Sequence, residues 1–137
     1  MALFKFSGGA GNPIKNLELR SLLSEFNRSL TLIADKALLI DNIISRIKQI
    51  VPVEHVYIFL FNESTGRYVP EGSFFPPLLD GRSIYFTPGG RLFNWLSVNE
   101  SELNVTDRPD VLDYLEPLEH ARLDHLKVEL IYPLSVM

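Results

Sequence analysis

The run His55–Asn62 (H-V-Y-I-F-L-F-N) constrains the fold more than any other stretch of the chain. It is almost continuously apolar and aromatic, and its β-branched and aromatic side chains favour a strand. Apolarity on both faces predicts an internal place in a sheet that is covered on both sides. Glu63-Ser64-Thr65-Gly66 follows as a turn, with Gly66 able to take positive φ. Arg67–Phe75 returns as a second strand, bent near Pro70, so the pair reads as a hairpin. Two strands joined by a tight turn exclude a uniformly parallel sheet.

Helices are expected on either side of this hairpin. From Ile14 to Ile33 the apolar positions Leu19, Leu22, Leu23, Phe26, Leu30 and Ile33 recur at helical spacing. Asp35 is placed to cap a second helix carrying Leu38, Leu39, Ile43, Ile44, Ile47 and Ile50, and Pro52 stops it. The stripe of the first helix suits either a partner helix or the chain's own sheet. After the hairpin, Phe75–Arg82 reads as a loop, Ser83–Thr87 as a third strand and Pro88-Gly89-Gly90 as a turn into a helix at Arg91–Val98. Asn104–Thr106 is a fourth strand and Val111–Leu126 a helix that Pro117 kinks or starts late. Val128–Leu134 is a buried fifth strand. Residues 1–13, with Gly8, Gly9, Gly11 and Pro13, read as a flexible lead-in to one domain over residues 14–137. The class is α+β, a sheet with helices on its faces.

Composition bounds the chemistry. At 137 residues the chain can bury a single core. A net charge of −4 predicts no general attraction to nucleic acid. The absence of cysteine excludes disulfides, thiol catalysis and thiolate metal sites. No stretch approaches the roughly 18 apolar residues of a membrane span, and no signal peptide is visible. The chain therefore reads as cytoplasmic.

Chemistry-bearing residues are scattered rather than grouped. His120 and His125 lie five apart on one predicted helix, off a common face. Glu116 shares a face with His120, but two ligands do not make a metal site. Asp107 or Asp110 reads as a helix cap with Pro109 in the first turn. Gly89-Gly90-Arg91 could set an anion at a helix N-terminus, yet it is neither a phosphate loop nor a dinucleotide fingerprint. No catalytic residue and no metal ligand is expected.

Several pieces, taken in order, resemble the GAF domain family of signalling sensors. L-L-S-E-F-N-R-S-L-T-L-I-A-D-K-A-L-L-I-D-N-I-I-S-R-I is similar to the family's leading helices, and V-E-H-V-Y-I-F-L-F-N-E-S-T-G-R-Y to its first hairpin. L-F-N-W-L-S-V-N-E-S-E-L-N-V-T-D resembles its helix-to-strand segment, and L-D-H-L-K-V-E-L-I-Y-P-L its late strand ending in Pro-Leu. The resemblance covers about Leu17 to Met137. It implies a GAF-like, PAS-related central antiparallel sheet with helices on its faces. It also implies a small-molecule pocket between one sheet face and the helices and loops after the third strand. The matching positions are Tyr85, Phe86, Arg91, Phe93, Asn94, Trp95 and Tyr114. By the same resemblance the chain is a non-enzymatic regulatory domain of a bacterial-type signalling protein, such as a sensor histidine kinase of a two-component system. It would form a homodimer through its first helix and act on a C-terminal output domain, without contacting a membrane. The cofactor stays unknown. The alternative is a ligand-free dimerisation or protein-interaction module whose pocket is filled by Phe93, Trp95 and Tyr114.

Three departures qualify the likeness. The cysteines of the family's methionine-sulfoxide reductases and bilin-binding members are missing, and so is the Asn-Lys, Phe, Asp-Glu pattern of its cyclic-nucleotide binders. The family also continues past Pro-Leu with a last strand that lies beside the one matching His55–Asn62. Its lack here implies a C-terminally incomplete domain, or a sheet completed from elsewhere.

Overall fold

The computed structural model describes residues 1–6, 16–30, 35–72 and 76–134. In chain order the elements are β1 (Ala2–Phe6), α1 (Asn16–Leu30), α2 (Lys36–Ile50), β2 (Val53–Asn62) and β3 (Arg67–Glu71). Then follow α3 (Arg91–Asn99), β4 (Leu103–Asn104), α4 (Pro109–Tyr114), α5 (Pro117–Leu126) and β5 (Leu130–Tyr132). The strands form one five-stranded sheet in the order β3-β2-β1-β5-β4. Every neighbouring pair is antiparallel. The fold is α+β, with helices on both faces of the sheet.

The centre of that sheet is the part sequence reading missed. Residues 1–13 were expected as a flexible lead-in. Instead Ala2–Phe6 is the middle strand, with Ala2 opposite Ile58 on one side and Tyr132 on the other. Residues 7–13 lie outside the described residues. The physical cause is that M-A-L-F is apolar on both pleat faces. Ala2, Leu3 and Phe4 have 0% exposure. Burying a Leu or Phe side chain contributes about 1.5–3 kcal/mol, which offsets the roughly 1–2 kcal/mol per residue needed to order the strand. The chain's own first residues thus fill the place between β2 and β5.

Alternation along the strands divides the interior in two. Ala2, Phe4, Val56, Ile58, Leu130 and Tyr132 face the α1–α2 hairpin. Leu3, Tyr57, Phe59 and Ile131 face α3, α4 and α5. On the hairpin side, Leu19, Leu22, Leu23 and Phe26 of α1 pack with Ile40, Ile43, Ile44 and Ile47 of α2. The apolar stripe of α1 therefore covers its own sheet, the second of the two readings open from sequence. Ile33, the last position of that stripe, lies outside the described residues. Asp35 caps α2 by accepting from the Leu38 N–H at 3.1 Å. An ion pair from Arg20 to Glu102 ties α1 to the approach to β4.

Turns and breaks follow local chemistry. In the β2–β3 turn, Asn62 Oδ1 accepts from Ser64 N–H at 2.9 Å, and Gly66 takes φ 67°. Gly72 ends β3 at φ 100°, where a Cβ would come within 2.9 Å of Ile40 Cγ2, so the loop needs glycine to pass α2. Phe75 lies outside the described residues. The expected third strand reduces to one bridge, Tyr68 to Phe86, with hydrogen bonds of 2.8 and 3.0 Å. Pro117 divides the expected long helix into α4 and α5, with Leu115 and Glu116 extended between them at ψ 156° and 148°. Among the described residues no helix is long and apolar enough to cross a membrane.

Candidate functional site

At the end of the sheet where β1 begins, a cleft of about 890 Å³ opens between α3, the strands and the start of the helical hairpin. One wall is an aromatic ladder. Phe61 and Tyr68 are register partners on β2 and β3, so they share a face, and their rings meet edge-on at 5.4 Å. Tyr68 then stacks on Phe93 of α3, with centroids 3.8 Å apart and planes 16° apart. Behind them Phe59 and the fully buried Phe86 pack edge to face at 5.2 Å. The floor is Met1, whose backbone exchanges two hydrogen bonds with Phe59, at 2.9 and 2.8 Å. Burial lowers the Met1 amine from its ordinary range to about 5, so it is neutral at physiological pH.

Polar groups reach the same cleft from three helices. Asn27 of α1, Lys36 of α2, Ser97 of α3 and Glu100, its C-cap, line it, with Glu63 from the β2–β3 turn. The Asn27 Oδ1 is buried and has no hydrogen-bond partner among the described residues. The lining presents polar and apolar surface in about equal measure, and an aromatic ladder beside placed polar groups suits a small organic molecule carrying at least one donor.

Helix α3 is held in place by a residue that sequence reading passed over. Gly90 is its N-cap and offers no side chain. The carboxylate of Glu119, only 2% exposed, accepts from the Leu92 N–H at 3.2 Å instead. The same carboxylate accepts from the Glu116 N–H at 3.1 Å, forming half of a capping box at the start of α5. One buried carboxylate thus satisfies donors at two helix N-termini. A Cβ at position 90 would run into Glu119, so glycine lets the two helices meet. The anion considered for the Gly89-Gly90 turn is supplied by the chain itself. The available signal was E-P-x-E, an acidic residue three positions after an acidic cap with proline at the first helical position.

The seven residues expected to line one pocket do not converge. Phe93 lines the cleft. Phe86, at 0% exposure, is core behind the aromatic ladder and is not accessible to a ligand. Tyr85 lies elsewhere, with the guanidinium carbons of Arg67 and Arg122 at 4.1 and 4.4 Å from its ring centre. Arg91, Asn94 and Tyr114 form a surface cluster. Arg91 Nη1 donates to the Tyr114 carbonyl at 2.9 Å, and Asn94 Nδ2 donates to the Tyr114 hydroxyl at 3.1 Å. Trp95 is half-buried, with Arg108 over its ring at 5.8 Å. Of the seven, Phe93 of α3 alone lines this cleft. Residues 93, 96, 97 and 100, which follow the helical 3–4 spacing, face the cleft.

No protein-family model matches this chain, and no match to it was found among curated proteins or solved structures.

Proposed function

We propose that this chain is a non-enzymatic, GAF-like sensory domain of a cytoplasmic, bacterial-type signalling protein such as a sensor histidine kinase. It binds a small molecule in the cleft beside α3 and signals through the α1–α2 hairpin. The observation that carries this reading is the composition of the cleft wall. Asn27 comes from α1, Lys36 from α2, the aromatic ladder from the sheet and α3. A ligand that touches both the hairpin and the sheet has a different interaction energy with each packing of the two. That difference is what biases a two-state equilibrium and reaches an attached output domain. The family resemblance of the helix–helix–hairpin order, together with the α+β sheet, supports the same reading.

The test is a thermal-denaturation panel of cyclic nucleotides, nucleobases and small metabolites. At a hundredfold excess over Kd a ligand adds about 2.7 kcal/mol, a shift of several degrees for a domain of this size. Phe93→Ala should abolish that shift for the responding compound. A panel with no response, or a response indifferent to Phe93, would count against sensing through this cleft.

A further inference from the structure

A second, smaller cleft lies at the opposite end of β1, on the face of the sheet that carries α5. It measures about 350 Å³ and is lined by Lys5, His55, Tyr57, His125 and Lys127, with Pro77 and Leu126 as apolar walls. Two lysines and two histidines thus line one recess of a chain whose net charge is −4. Three separate elements bring them there. Lys5 and His55 are register partners on β1 and β2, so they emerge on the same face. His125 is in the last turn of α5, and Lys127 is its C-cap at φ 53°.

We propose that this cleft binds the phosphoryl group of a small phosphate ester. Lys5 and Lys127 supply the charge, as point donors suited to phosphate oxygens. The Nε2 of His125 is buried and has no hydrogen-bond partner among the described residues. An imidazole carrying a proton on that nitrogen donates a hydrogen bond to an anion that enters the recess, which removes the cost of leaving it unpaired. The stacked His55 and Tyr57 rings, 5.9 Å apart and 21° from parallel, form a flat plate beside it for the organic part of the ester. A volume of this order holds a ligand of sugar-phosphate size. Acidic residues neighbour Lys5 on both sides: Glu54 Oε1 lies 3.2 Å from Lys5 Nζ and 3.7 Å from His55 Nε2, and the β1–β5 register sets Glu129 across from Lys5. The bound phosphoryl group competes with Glu54 for Lys5, so Glu54 sets the affinity. This site shares no lining residue with the cleft beside α3 and does not rest on the sensory reading.

Calorimetric titration with inorganic phosphate and with phenyl phosphate tests the proposal, with sodium chloride and acetate at matched ionic strength as comparisons. Phenyl phosphate should bind most tightly, and phosphate more tightly than acetate or chloride. Lys127→Gly removes the charge at a position whose left-handed backbone glycine accepts without strain, and it should weaken phenyl phosphate binding about tenfold. His125→Gln should weaken it severalfold, and Glu54→Gln should tighten it. Melting of each ligand-free variant at the parent temperature verifies that the fold is retained. Binding of chloride or acetate as tight as that of phenyl phosphate would overturn the phosphoryl assignment. So would binding unchanged by Lys127→Gly and His125→Gln, or no measurable heat with either phosphate.

Discussion

Replacing Phe4 with alanine tests whether the first residues of the chain are structural. Phe4 has 0% exposure and packs edge-on against Tyr132 at 5.6 Å, between β1 and β5. Truncating a fully buried Phe costs about 3–5 kcal/mol, through lost transfer energy and the cavity left behind. The lost aromatic pair falls within that range at about 0.5–1.5 kcal/mol. A central estimate is therefore about 4 kcal/mol. Unfolding entropy near 60 °C is about 2.1 cal/mol/K per residue. For 137 residues that sums to about 0.29 kcal/mol/K, so the melting temperature should fall by roughly 14 °C. Urea denaturation followed by circular dichroism and by fluorescence of the single tryptophan, Trp95, gives the free energy directly. Val98→Ala, at a site 75% exposed, is the control and should stay within about 0.5 kcal/mol of the parent. A loss below about 1 kcal/mol for Phe4→Ala would refute the placement of β1 at the sheet centre, because a mobile lead-in has no core to lose.

Three further outcomes follow from the same geometry. Glu119→Ala should cost about 2–3 kcal/mol in chemical denaturation, because it leaves buried N–H groups of α3 and α5 without an acceptor, whereas Glu116→Ala at the exposed cap should cost about 1 kcal/mol. Gly72→Ala should cost about 2–4 kcal/mol, since it combines a strained positive φ with a contact against Ile40, and a neutral result would show that the β3 end is misplaced. The Met1 amine, lowered to about 5 in the fold and ordinarily near 8, takes up a proton on unfolding across that interval. Stability should thus be full above pH 8, fall as pH drops towards 5 by up to about 4 kcal/mol, and change no further from this group below that. Nitrogen NMR of a labelled Met1 amine reads its titration directly, and a midpoint near 8 would contradict burial.

The parts of the fold legible in the sequence are those where local chemistry and periodicity agree. Asp35 before the α2 stripe, the Glu63–Gly66 turn and the break at Pro117 each state their own structure. β1 was misread because glycines at 8, 9 and 11 dominate that end, while the strand signal is only M-A-L-F-K-F. A run of four apolar residues, M-A-L-F, has no period to recognise, and its central place depends on β2 and β5, about fifty and more than a hundred residues away. The candidate site was legible to the level of one helix. Assigning the faces of α3 required knowing that Glu119, from α5, holds its N-terminus and so fixes its rotation over the sheet. Asn27 and Lys36 were beyond sequence reasoning, because their approach to the cleft depends on how the helical hairpin crosses the opposite face.

The central claim is that a small molecule enters the cleft beside α3 and touches the helical hairpin and the sheet together. Amide NMR spectra of the chain, titrated with the compound that most raises its melting temperature, test this most directly. Saturable shifts are expected at Phe93, Ser97 and Tyr68, accompanied by shifts at Asn27 and Lys36 at the same ligand concentration. Shifts confined to residues outside the cleft, or to α3 with Asn27 and Lys36 unmoved, would contradict it.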